Sequence, residues 1–164
     1  MVSRFEELLA DGAHAFERQR LTGHLTASAW VLDAAREHVL LVHHRKLGKW
    51  LQPGGHADGE MRLLEVARTE VREETGVEAE PLADGGIFDV DIHPIPARPE
   101  APEHEHFDIR FLLCARGTQS ARGNEENHEA RWVPLRQVEE LTTEESILRM
   151  RAKARAALAA EQAP

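Results

Sequence analysis

Tyrosine is absent from this chain, and aromatic residues are scarce: 5 Phe and 3 Trp in 164 residues. Its core must therefore rest on Leu, Val, Ile and Ala. Cysteine is almost missing too. Cys114 stands alone, which excludes an intramolecular disulfide and fits a reducing compartment. No apolar run approaches the ~20 residues that a membrane-spanning helix needs. The opening stretch MVSRFEELLADG lacks the basic start and apolar run of a secretory signal. A cytoplasmic location with no membrane partner is the expectation. Positive charge is in deficit, with 20 Lys and Arg against 29 Asp and Glu, a formal net charge of −9. Such a chain repels polyanions, so a nucleic acid polymer is not an expected partner. A small anionic substrate would need a bound cation or a local basic patch to settle on it.

What is present suits one domain over residues 1–164, since 41% apolar and 30% charged residues are ordinary for a globular chain. Ser3-x-x-Glu6 reads as a capping box opening an N-terminal helix within residues 1–20, with Phe5, Leu9, Ala13 and Phe16 on its packed face. Strands are expected at His24–Leu32 and His38–His43, joined as a hairpin by the polar turn Asp33–Glu37. A glycine-bearing loop, Lys46–Gly55, precedes a helix over Leu63–Thr75, which Gly76 stops. Strands at Ile87–His93 and Glu105–Ala115 flank the proline-rich Pro94–Pro102. A polar segment, Arg116–Asn127, leads to a strand at Glu129–Val133, a short helix after Pro134 and a last helix within residues 145–161. The order lacks a regular βαβ alternation. It predicts an α+β fold, an α/β/α sandwich around a mixed sheet with an additional N-terminal helix. The terminal helices pack on the domain or on a partner, which leaves a homodimer open.

The densest chemistry lies in the stretch RTEVREETG, residues 68–76. Glu70, Glu73 and Glu74 stand at i, i+3 and i+4, so at 100° per residue they share one face of a helix. Like charges at i,i+4 cost roughly 0.2–0.5 kcal/mol each on an open helix, and acids near a C-terminus oppose the macrodipole. A hard divalent cation with oxygen ligands would reverse that cost. A solvated acidic face is the plain alternative for any glutamate-rich helix.

The stretch Gly55–Val77, GHADGEMRLLEVARTEVREETGV, resembles the Nudix box, G-x5-E-x7-R-E-U-x-E-E-x-G-U, with U a bulky aliphatic. Glu70, Val71, Glu73, Glu74, Gly76 and Val77 match at the box spacing. Gly54-Gly55 in front and Arg131-Trp-Val-Pro134 near the end extend the likeness. Two positions depart: Met61 and Thr69 stand where the box has Glu and Arg. Glu60 and Arg68 each lie one residue early, keeping their mutual spacing of eight. A one-residue shift turns Arg68 by 100° on a helix, so the bracing of the site is altered more than its metal-binding carboxylates.

The resemblance implies Mg2+- or Mn2+-dependent hydrolysis of a phosphoanhydride bond in a nucleoside diphosphate linked to another moiety. It implies metal ligation by Glu70 and Glu74, with Glu73 as a ligand or a positioner of water and the Gly54 carbonyl as an extra oxygen. A general base is expected from Glu73 or from the later acids Glu125, Glu126 and Glu129. Glu126 is favoured, because the segment Gly123–Asn127 could swing over the site. Arg45, Gly55 and His56, around the loop in front of the helix, are expected to meet the substrate. The alternative is a catalytically silent Nudix fold that binds a nucleotide or a partner.

A second polar face is legible in the strands. His104, His106, Asp108 and Arg110 alternate with Glu105, Phe107, Ile109 and Phe111, and Asp89, Asp91 and His93 alternate with apolar residues in the same way. If the two strands pair, these side chains form one patch. It is read as a wet sheet face, as a substrate surface through His106 and Asp108, or as a transition-metal site. The substrate surface is preferred to the metal. Three ligands in a row on one strand cannot easily share a tetrahedral ion without help from elsewhere.

Overall fold

A computed structural model describes residues 1–82, 84–99, 101–125 and 127–161. In chain order the elements are α1 (Val2–Leu9), a 3-10 turn (Gly12–Phe16), β1 (Gly23–Leu32), β2 (His38–His44), β3 (Lys49–Leu51), β4 (Gly54–His56) and α2 (Leu63–Thr75). There follow β5 (Ala79–Pro81), β6 (Ile87–Ile95), β7 (His104–Ala115), β8 (Asn127–Pro134), α3 (Val138–Leu141) and α4 (Glu145–Glu161). All eight strands join one mixed sheet. β1 runs parallel to β7, with Gly23 opposite Glu105 and Leu32 opposite Cys114. On its other edge β1 meets β2 at Leu32–Val39 and β4 along Thr26–Ser28, both antiparallel. β2 carries β3 and β8, while β7 carries β5 and β6.

The alternation of β1 divides the molecule into layers. Leu25, Ala27, Ala29 and Val31 point to one face, where Val66, Ala67 and Val71 of α2 meet them beside Phe5, Leu8 and Phe16. Trp30 and Leu32 point to the other, under Val138 of α3 and Ile147, Met150 and Ala154 of α4. The same face carries His24, Thr26 and Ser28 nearer the start of β1, so it is polar at one end and apolar at the other. This is the expected α/β/α sandwich, and α2 has the bounds that the sequence predicts. Gly76, at φ 72°, closes α2 in the left-handed region, and its N–H donates to the Arg72 carbonyl at 2.8 Å.

The N-terminal helix is shorter than expected. It is capped at Met1 with no side-chain hydrogen bond, so Ser3 lies inside the helix and the capping box does not form. Gly12, at φ 60°, breaks the path, and the chain resumes as a 3-10 turn. Leu8 rather than Leu9 is consequently the buried partner of Phe5. The β1–β2 hairpin forms as expected. Asp33 Oδ1 accepts the backbone N–H groups of Glu37 and His38 at 2.8 and 3.0 Å, which closes the loop across the hairpin. β5 has no counterpart in the sequence reading. Among the described residues, no helix is long and apolar enough to cross a membrane.

Candidate active site on α2 and a histidine cluster across β4

Packing fixes how the glutamate face of α2 sits. Val66, Ala67 and Val71 are buried against the sheet, which sets the helix rotation and leaves Glu70 half-buried, Glu73 exposed and Glu74 buried. The glycine pair is what lets α2 and β4 approach. A Cβ at Gly55 would stand 2.4 Å from Glu70 Oε1, and one at Gly54 would stand 2.3 Å from Ser28 Cβ and 2.6 Å from Ser28 Cα. The Glu70 carboxylate therefore lies against the β4 backbone, next to Gly54.

The two glycines should respond differently to alanine. Gly54→Ala meets β1 itself and is expected to cost roughly 1–3 kcal/mol in urea unfolding. Gly55→Ala meets the movable end of Glu70. It should keep most of the stability in the same unfolding measurement while displacing that carboxylate, which would weaken any divalent-cation binding that Glu70 supports.

The displaced pair of the box is accounted for. Arg68 donates to Glu65, to Glu80 at 2.8 Å and to the Ala79 carbonyl at 3.3 Å, which ties α2 to β5. Glu60 binds Arg62 and caps its N–H at 2.8 Å. Met61 is exposed and Thr69 half-buried. Glu60 and Arg68 thus serve separate local contacts.

The later acids lie on or beside the segment that leads into β8. Glu125 is exposed, and Glu129 is exposed and paired with Arg131. Glu126 lies outside the described residues. The segment around them is stitched to the end of α2. Asn124 Nδ2 donates to the Glu73 carbonyl at 3.2 Å, and Asn127 Nδ2 donates to the Glu74 carbonyl at 3.3 Å. These bonds satisfy carbonyls that a helix end leaves open, so the two asparagines are helix clamps that the sequence reading missed.

The expected substrate-contacting set divides. Arg45 is exposed in the turn between β2 and β3, and Gly55 stands against Glu70. Asp108 is a buried hub whose oxygens accept from protein donors. It accepts from Thr26 at 3.0 Å, Ser28 at 2.7 Å, Gln52 at 3.3 Å and Arg110 at 2.7 Å. Arg110, 2% exposed, also reaches Asp89 at 3.3 Å and Asp91 at 3.1 Å. From α4, Arg149 bonds both of those aspartates and Lys153 bonds Asp89. Three acids and three bases thereby form one neutral network between the sheet and α4.

His56 and His106 belong to a different constellation. His56, opposite Thr26, and His106, opposite His24, bring three imidazoles from β1, β4 and β7 together. Their ring centroids are 5.0 to 5.1 Å apart. His104 stacks on His24 at 5.2 Å, and His93 meets His106 edge-on at 5.5 Å. Burial lowers all three. His24 lies below its ordinary value, and His56 is held at about 4 with help from the Arg18 charge. His106 is held at about 2 by burial and then by its neighbouring imidazoles. The three rings are therefore neutral near pH 7. His24 went unnoticed in the sequence, although His24-x-Thr-x-Ser28 shows the same alternation as β7. Two shallow concavities of about 190 and 410 Å³ touch neither the glutamates nor this cluster. Of their cations, Arg4 pairs with Glu105 and Arg20 with Asp11.

Solved structures share this architecture. A Caenorhabditis elegans Ap4A hydrolase binary complex is 16% identical, covers 83% of this chain and 98% of its own, and superposes with a TM-score of 0.67. A Nudix-family hydrolase from Clostridium perfringens is 21% identical over 82% of this chain and 97% of its own, TM-score 0.64. The Nudix domain of Shewanella oneidensis NrtR, solved with ADP ribose, is 19% identical over 91% and 97%, TM-score 0.57. No curated protein matches at a significant level. A mixed sheet between helices is the class of fold these likenesses define. The NUDIX domain description matches residues 22–153, and the chain belongs to that family of hydrolases acting on phosphorus-containing acid anhydrides.

Proposed function

We propose that this protein is a Mg2+- or Mn2+-dependent hydrolase that splits a phosphoanhydride bond in a nucleoside diphosphate linked to another moiety. The observation that carries the reading is the Glu70 carboxylate lying against the Gly55 backbone, on the helix that also bears Glu73 and Glu74. The donors fit the cation: they are hard carboxylate oxygens, as Mg2+ and Mn2+ require. Glu70 and Glu74 would be the principal ligands, with Glu73 and the Gly54 carbonyl as further oxygens. Bound there, a divalent cation neutralises the phosphate bridge and makes the attacking water more acidic.

The chain's own contribution is positional. Glu73, the exposed member, holds the attacking water and accepts its proton; Glu126 is the other candidate base. Asn124 and Asn127 hold the helix end that presents Glu73 and Glu74. Gly55 lets the Glu70 carboxylate lie against the β4 backbone, and Arg45 offers charge-assisted hydrogen bonds to phosphate oxygens. The relatives described with Ap4A hydrolysis and with ADP ribose support a nucleotide-type substrate.

One observation favours a silent, ligand-binding domain instead: Glu60 and Arg68 are engaged by other partners. A panel of nucleoside triphosphates, dinucleoside polyphosphates, ADP-ribose and sugar nucleotides separates the two readings. The hydrolase releases phosphate-containing products from at least one with Mg2+, faster as pH rises. Nucleotide binding without product from any would establish the silent reading. Mg2+ or Mn2+ should also raise the Tm, because the folded carboxylate cluster binds it and the unfolded chain does not.

A further inference from the structure

We propose that His24, His56 and His106 form a zinc site, separate from the carboxylate helix and independent of the proposed hydrolase function. One ligand nitrogen from each ring lies within 4.8 Å of the others. The site is built by the sheet rather than by a flexible loop. β1 and β7 run in parallel register with His24 beside His106, and β4 sets His56 beside Thr26, one step along on the same face. This supplies, from two further strands, the ligands that β7 alone cannot provide. It also lies across β4 from Glu70. The Gly55 position faces α2, whereas the next residue, His56, faces the histidines.

The orientation of the rings is the second observation. His24 is 2% exposed, and its Nδ1 faces the Arg20 carbonyl at 3.3 Å. Only an Nδ1–H suits that contact, so Nε2 carries the lone pair. That Nε2 is buried and has no hydrogen-bond partner among the described residues, and the same holds for His106 Nε2. Buried polar atoms are normally satisfied, and an unsatisfied one costs about 1–3 kcal/mol. The His24 lone pair, with a second buried and unpartnered ring nitrogen on His106 beside it, calls for a ligand that accepts lone pairs. A backbone carbonyl behind a ring is how metal-binding histidines are commonly held.

Donor chemistry selects the ion. The triad offers imidazole nitrogen and no carboxylate, which suits zinc and not magnesium. Zn–N bonds of about 2.0–2.1 Å draw tetrahedral nitrogens to about 3.4 Å from one another, a closure that side-chain rotation supplies. The fourth position is taken by water, with His104 the nearest further imidazole, stacked on His24.

The test is a zinc titration of the chelator-stripped full chain against a chromophoric chelator, with Mg2+ absent. We expect saturation at about one zinc per chain and a rise in Tm on loading. His56→Gln and His106→Gln, both at half-buried positions, should each weaken zinc by more than about a hundredfold, since losing even a group behind a ligand costs about 10–100-fold. Urea midpoints of the metal-free proteins establish that the variants are folded. The double variant Glu70→Gln/Glu74→Gln should bind zinc as the wild type does. The proposal is overturned if the wild type does not compete with the chelator, if folded His56→Gln and His106→Gln bind zinc normally, or if zinc is lost with the glutamates. Should both histidine variants fail to fold, His24→Asn and the wild-type stoichiometry decide by the same criteria.

Discussion

Glu74→Gln is expected to lower turnover by about a thousandfold at saturating Mg2+ while leaving the chain folded. The factor corresponds to the several kcal/mol that a bound cation contributes to a phosphoryl-transfer barrier. Glutamine fills the same volume in a buried position, so the packing of α2 on β1 is kept. It also removes a like-charge pair with Glu70 one turn away, worth roughly 0.2–0.5 kcal/mol on an open helix. The metal-free unfolding midpoint should stay at or slightly above that of the wild type. Steady-state kinetics and urea unfolding on the same preparation separate the two effects. Near-normal turnover in Glu74→Gln would remove this residue from the metal site, and a collapsed fold would make its role structural.

The second large effect concerns stability. Arg110→Ala is expected to cost about 3–5 kcal/mol, because it leaves Asp108, Asp89 and Asp91 without the guanidinium that they share inside the protein. Arg149 is one-third exposed, so Arg149→Ala should cost about 1 kcal/mol or less. Acid sensitivity should move with Arg110. Burial alone would raise Asp89, yet hydrogen bonds from Arg149 and Lys153 hold it below its ordinary value. Asp91 is also desolvated, and His93, Arg110 and Arg149 hold it lower still. Both folded values lie below the unfolded ones. Their stabilisation is therefore complete above the ordinary carboxylate range near pH 4 and is lost as pH falls through it toward the lowered values. Removing Arg110 raises Asp91, so unfolding should begin at a higher pH. Urea midpoints between pH 3 and pH 7 measure both effects. An Arg110→Ala protein as stable as the wild type would mean that the network is replaceable.

What the sequence revealed follows from the range of the interactions involved. α2 was legible to its end residues because local signals agree: a 3.6-residue apolar pattern and a glycine stop. β6 and β7 were legible from alternation, and β1, β2 and β8 as strand-like runs bounded by polar segments, within a few residues at their ends. The N-terminal helix was misread because a capping box is only a local preference, and Gly12 at φ 60° ends the helical path first. The parallel pairing of β1 with β7 joins residues some eighty positions apart, and no local pattern reports it. That pairing places His24 against His106 and Thr26 and Ser28 against Asp108. Hence the histidines and Asp108 were visible as a polar face, but the triad and the buried hub were not. Conversely, the glutamates of α2 needed only helical spacing, and the close approach behind Gly55 agrees with the likeness that the box suggested.

The central claim, that the α2 carboxylates bind a divalent cation used in hydrolysis, is tested most directly by titrating Mg2+ into chelator-stripped protein. Product release from a nucleotide phosphoanhydride is followed in the wild type and in Glu70→Gln/Glu74→Gln. The account predicts no turnover without metal, saturable activation of the wild type, and no activation of the double variant at any Mg2+ concentration. Full turnover after exhaustive chelation, or normal activation of the double variant, would contradict it.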